Sequence, residues 1–93
     1  MKKIVFKTHF LKIRKENKAY YTLTPYAKVI KLNETGYQML KLCEIIKDSE
    51  ILAKTVASKF KLTEKQAETE TAHFLVGMLR CGLIEEIQFD EDA

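Results

Sequence analysis

Glycine and proline are scarce in this chain, three and one in 93 residues, and they form neither a phosphate-cradling loop nor a flexible linker. No apolar run approaches the roughly 20 residues that cross a bilayer, and the basic start, Met1 to Lys7, is too short in apolar residues for a signal peptide. The chain therefore reads as cytosolic. Only two histidines occur, His9 and His73, and no Cys or His falls at zinc-chelating spacing. Cys43 and Cys81 lie at apolar positions of helical patterns, which suits small buried hydrophobes better than a disulfide. Ser49, Ser58 and Cys43 have no His or carboxylate constellation beside them, and Glu85 and Glu86, being adjacent, point to opposite faces of a strand. No cofactor, metal or catalytic residue is expected. The chain reads as a binding protein.

What is present is the composition of one ordinary domain, 46% hydrophobic and 31% charged. The net charge of +3 conceals an asymmetry. Residues 1–32 carry nine Lys or Arg against Glu16 alone, while residues 33–93 carry seven against twelve acids. A basic half beside an acidic half bears on partners, although lysines also guard an exposed sheet edge against self-pairing.

The apolar period changes within Lys28 to Leu42. Val29 to Leu32 alternates as a strand does, with Ile30 and Leu32 on one face and Val29 and Lys31 on the other; from Tyr37 the spacing is helical. Asn33 at the junction suits an N-cap, with Glu34 at the positive end of the helix dipole. Working outward, strands are expected at Phe10–Arg14, Tyr20–Leu23 and Lys28–Leu32, turned at residues 15–18 and at Thr24-Pro25-Tyr26-Ala27. Ile4–Phe6 is an extended lead-in of undetermined state. Helices follow at Glu34–Lys47, from Glu50 to about Lys59 capped by Asp48 or Ser49, and after Thr63. Thr63 and Gln66 have capping-box spacing, and Gly82 ends the third helix as a Schellman closure. Its core stripe is Ala67, Thr71, Phe74, Leu75, Met78 and Leu79. Leu83–Phe89 is a candidate short strand, and residues 90–93 form an acidic tail. The expected fold is α+β and winged-helix-like: a three-stranded antiparallel sheet followed by a three-helix bundle, one domain over 1–93 with its core at about 10–85.

The run Val29-Ile30-Lys31-Leu32-Asn33-Glu34-Thr35-Gly36-Tyr37, followed by Leu40 and Leu42, resembles the strand-to-helix signature of the PqqD-like family, also called RiPP recognition elements. Phe74-Leu75, Leu79 and Cys81-Gly82-Leu83-Ile84-Glu85 are similar to that family's helix-three ending. The resemblance spans about Phe10 to Glu85. It departs at Lys47-Asp48-Ser49, where a glycine-containing turn is common, and leaves the N-terminal residues and acidic tail outside. It implies a non-catalytic chaperone that binds the leader of a ribosomally made, post-translationally modified peptide and presents it to a modifying enzyme. That enzyme would be a radical-SAM enzyme or a lasso-peptide protease or cyclase. In the family the leader adds as a strand beside helix three. Carried over, the edge is Lys28, Val29, Ile30, Lys31 and Leu32. By helical geometry the wall is Thr69, His73, Val76, Gly77 and Arg80. Val76 is the better contact and His73 a solvent-edge residue. Gly77, mid-helix, costs about 1 kcal/mol relative to Ala and is explained by close packing in preference to ligand room. A monomer or weak dimer is expected, binding neither membrane nor nucleic acid.

The rival is a winged-helix DNA-binding regulator with helix three in the major groove. The N-terminal half of that helix carries Glu64, Glu68 and Glu70 against Lys65, the wrong sign for phosphates.

Overall fold

The computed structural model describes residues 4–8 and 12–87. In chain order the elements are β1 (Val5–Thr8), β2 (Ile13–Glu16), β3 (Ala19–Leu23), β4 (Val29–Leu32), α1 (Glu34–Ile45), α2 (Ser49–Phe60), α3 (Glu64–Cys81) and β5 (Ile84–Ile87). Strands β2, β3 and β4 form a three-stranded antiparallel sheet in that order, and β1 pairs with β5 in a separate two-stranded ribbon. A three-stranded sheet followed by three helices is the α+β arrangement expected.

Each joint has a local cause. Asn17 adopts a left-handed φ of 55° and closes the β2–β3 hairpin in two residues. The first sheet strand therefore runs on to Glu16 instead of ending at Arg14; Phe10 and Leu11, its expected start, lie outside the described residues, as do residues 88–93. Thr24 builds the next turn. Its hydroxyl accepts from the Tyr26 and Lys28 N–H groups at 3.2 and 3.1 Å, and its own N–H donates to the Lys28 carbonyl at 2.8 Å. The Asn33 side chain accepts from the Gly36 N–H at 2.8 Å and starts α1 directly after β4.

Helix α1 ends at Ile45, two residues before the expected Lys47, because β1 pulls the chain out of the helix. The Phe6 N–H donates to the Lys47 carbonyl and the Ser49 N–H to the Ile4 carbonyl, each at 2.9 Å. Asp48 then caps α2. Helix α3 has both capping-box hydrogen bonds between Thr63 and Gln66. It closes at Gly82 (φ 83°), with the Leu83 N–H donating to the Met78 carbonyl at 3.1 Å, a Schellman ending.

The core joins Tyr20 and Leu32 of the sheet to Leu40, Cys43, Leu52, Val56, Leu75 and Leu83. Phe74 and Leu79, expected in the α3 stripe, are half-buried at its borders. Phe6 is 0% exposed, so the lead-in left undetermined by the sequence is a strand that contributes to the hydrophobic core. The thiol of Cys43, buried away from charge-stabilising solvent, is pushed up to about 12, that of an inert core residue.

Candidate functional site

Strand β4 lies at the end of its sheet, paired only with β3 among the described residues. The candidate fifth strand, Ile84–Ile87, does not occupy that side: it pairs with β1, Val5 opposite Ile87 and Thr8 opposite Ile84. The register fixes which groups that free side offers. The Thr24–Lys28 hydrogen bond makes that pair a bonded one, and bonded pairs alternate along an antiparallel ladder. Ile30 and Leu32 therefore spend their backbone groups on Thr22 and Tyr20. The N–H and C=O of Val29 and Lys31 point away from β3, toward the unpaired edge.

The side chains sort the same way. Val29 is 66% exposed, Lys28 and Lys31 are exposed, Ile30 is half-buried against the core and Leu32 is buried. Of the five edge residues, Val29 and Lys31 offer both backbone and side chain; Ile30 and Leu32 shape the inner face.

Two contacts hold this hairpin to the helices. At one end the Tyr20 hydroxyl donates to the Glu34 carboxylate at 2.6 Å, Gln38 donates to the same carboxylate at 2.9 Å, and the Tyr20 ring stacks on Tyr37 with centroids 3.9 Å apart. The hydrogen bond from Tyr20 holds the Glu34 carboxyl below the usual range, and donating to that carboxylate pushes the Tyr20 phenol up to about 12. At the other end, Tyr26 lies against the end of α3, where a Cβ on Gly82 would meet its Cε2 at 2.8 Å. Between turn and helix end is a cleft of about 450 Å³ lined by Pro25, Tyr26, Leu79, Gly82, Ile84, Glu85 and Glu86.

Residues Thr69, His73, Val76, Gly77 and Arg80 are all exposed on α3. Helical spacing divides them between neighbouring stripes. Val76 lies one turn before cleft-lining Leu79 and shares its side of the helix with Thr69 and Arg80. His73 and Gly77 follow Gln66 and Glu70, which line a different cavity with Thr35, Met39, Phe60 and Leu62. Nothing comes within 4 Å of a Cβ placed on Gly77, so close packing does not account for it. It faces solvent.

No local pattern signals the Tyr20–Glu34–Tyr37 lock, in which Tyr20 is fourteen or more residues from both partners. Nor did it mark Leu23, which is 55% exposed and becomes Val29's neighbour only through the hairpin register. Among the described residues no group of His, Cys, Asp or Glu is placed to hold a metal ion, and no helix is long and apolar enough to cross a membrane.

A free strand edge, carried on a hairpin that meets α1 at one end and the end of α3 at the other, marks a small α+β domain with a sheet border open to pairing. Residues 14–84 match the family model described as Coenzyme PQQ synthesis protein D (PqqD). The chain belongs to the PqqD family, the RiPP recognition elements, whose members are non-catalytic accessory proteins that bind a precursor peptide and a biosynthetic enzyme. Neither a curated protein nor a solved structure gave a match. Strand β1 lies outside the matched residues although it supplies Phe6 to the core.

Proposed function

We propose that this protein captures the leader of a ribosomally made precursor peptide as an additional strand on β4 and presents the rest of the peptide to a modifying enzyme, of the radical-SAM or lasso-peptide protease or cyclase type. The observation that carries the reading is the unpaired side of β4, which β5, paired with β1, does not occupy. An extended peptide satisfies such an edge through its main chain and takes specificity from alternate side chains. Val29 and Lys31 supply four backbone groups, worth a net of about 1 kcal/mol each once paired. One or two apolar anchors beside Val76 and Ile30 add about 1.5–3 kcal/mol apiece. Against these stands the cost of ordering a flexible leader, so a net of about −8 kcal/mol, roughly micromolar, is the expected affinity. Lys28 and Lys31 favour an acidic leader and act more on its association rate than on the final affinity.

The test is a titration with the peptide encoded beside this chain's gene, next to a random DNA duplex at moderate salt. Saturable micromolar peptide binding without DNA binding supports the reading. A steeply salt-dependent DNA complex with no peptide binding overturns it in favour of a DNA-binding regulator.

A further inference from the structure

The outward face of the β2–β3–β4 sheet carries two rows of side chains that both stop at the free edge. In one row, cross-strand pairing sets Arg14 beside Tyr21 and Tyr21 beside Lys31. Arg14 is tied to Glu16 at 2.6 Å, while Lys31 has no ion pair among the described residues. In the other row Leu23 lies beside Val29, 55% and 66% exposed, an uncovered apolar pair at a non-hydrogen-bonded site where cross-strand side chains come closest. A strand added to β4 lengthens each row by one residue, because bonded partners in an antiparallel ladder project to the same face. The residues it bonds to Lys31 and Val29 therefore project outward. The one between them projects inward beside Ile30.

From this geometry we infer that the outer face reads the bound peptide: an acidic residue opposite Lys31 and, two positions later, a large apolar residue opposite Val29. The order follows from direction. Every pairing in this sheet is antiparallel, and an added strand that continues the pattern runs against β4, so it meets Lys31 before Val29. The acid completes the Arg14–Tyr21–Lys31 row at its one unpaired cation. The apolar side chain covers Val29 and Leu23, and the residue between the two is apolar because it faces the half-buried Ile30. This inference rests on strand addition at β4, and its test separates the two ideas.

The full chain is used to select binders from a random-sequence peptide library, and the enriched peptides are synthesised and titrated. Enrichment of Asp or Glu two positions before an aliphatic or aromatic residue supports the inference, each position contributing up to about five-fold in affinity. Lys31→Glu should then reverse the preference to Lys or Arg at the acidic position while leaving the apolar one unchanged. Enrichment in the opposite order, absence of this spacing, or an unaltered preference in Lys31→Glu overturns it. Strand addition is checked separately by N-methylating alternate backbone amides of a selected peptide. Loss of binding in one alternation only, without the predicted side-chain spacing, leaves strand addition standing and removes the outer-face code. Equal tolerance of methylation at every position removes both.

Discussion

Val29→Pro is the substitution that separates edge pairing from every other way this surface could hold a peptide. The Val29 N–H points away from β3, so proline there removes no bond of the protein's own ladder. It deletes one of the four edge groups and leaves the carbonyl of the bound peptide facing a ring without a donor. Loss of the bond costs about 1 kcal/mol, and a peptide carbonyl left unpaired brings the total to about 1–3 kcal/mol, which is about 5- to 150-fold in Kd. Ile30→Pro is the contrast. The Ile30 backbone is bonded to Thr22 and its side chain packs on the core, so proline there breaks the sheet itself. The assay is calorimetric titration of the leader peptide with thermal unfolding in parallel, and Glu68→Ala on α3 as the distant control. The expected pattern is Val29→Pro folded and weakened, Ile30→Pro destabilised, Glu68→Ala unchanged. A folded Val29→Pro protein that binds as tightly as the parent refutes strand addition at β4.

Other consequences are open to simpler measurement. Phe6 is fully buried, and Phe6→Ala should lower stability by about 3–5 kcal/mol in chemical denaturation, although β1 lies outside the family match. Gly77→Ala, at an open and exposed helix position, should raise stability by about 0.5–1 kcal/mol and leave leader titration unchanged. Tyr20 and Glu34 act at opposite ends of the pH scale. The raised Tyr20 phenol gives stability that is fully present below pH 10 and lost as pH rises from 10 toward about 12; the lowered Glu34 carboxyl gives stability that is lost as pH falls through its folded value. Tyr20→Phe should therefore flatten both limbs of the unfolding midpoint plotted against pH, and unchanged limbs would show that the hydroxyl-to-carboxylate bond contributes nothing to folding.

Legibility in the sequence followed the range of the interactions. The Asn33 cap, the Thr63–Gln66 box and the Gly82 closure each involve residues within five positions of one another, and all three were readable because backbone geometry near a helix end dictates residue type. The third sheet strand was readable from alternation, and its alternation also separated Ile30 and Leu32 from Val29 and Lys31 correctly. What could not be read were pairings with no local signature. Residues 4–8 and 84–87 are each too short to announce a partner, and only their meeting across the fold makes them a ribbon. That meeting also drags Lys47 out of α1 and ends the helix early. On α3, periodicity placed all five candidate wall residues on the exposed surface but could not tell the Leu79 side from the Gln66 and Glu70 side. That distinction needs the positions of the hairpin turn and of α1.

The same long-range contacts would suit the β4 edge to the proposed peptide binding. An unpaired edge on a loose hairpin would have to be ordered before a peptide could pair with it, and that cost would be subtracted from about four hydrogen bonds. Here the hairpin is fastened where β3 meets α1, by Tyr20 on Glu34 and Tyr37, and again where its turn meets Gly82. Val29 and Lys31 lie between the two attachments. Meanwhile β5 pairs with β1 and leaves the β4 edge unoccupied. Loosening either attachment should therefore weaken peptide binding without touching a binding residue. Gly82→Ala tests the turn end: at φ 83° a side chain is strained, and its Cβ would meet the largely exposed Tyr26 ring at 2.8 Å, so that ring must swing aside and give up its contact with α3. The expected result is a folded protein with weaker leader binding and unaltered side-chain preferences in the peptide. If binding strength is unaffected while the contact between Tyr26 and the end of α3 is seen to be lost, anchoring of the turn plays no part in recognition, and the edge binds equally well without it.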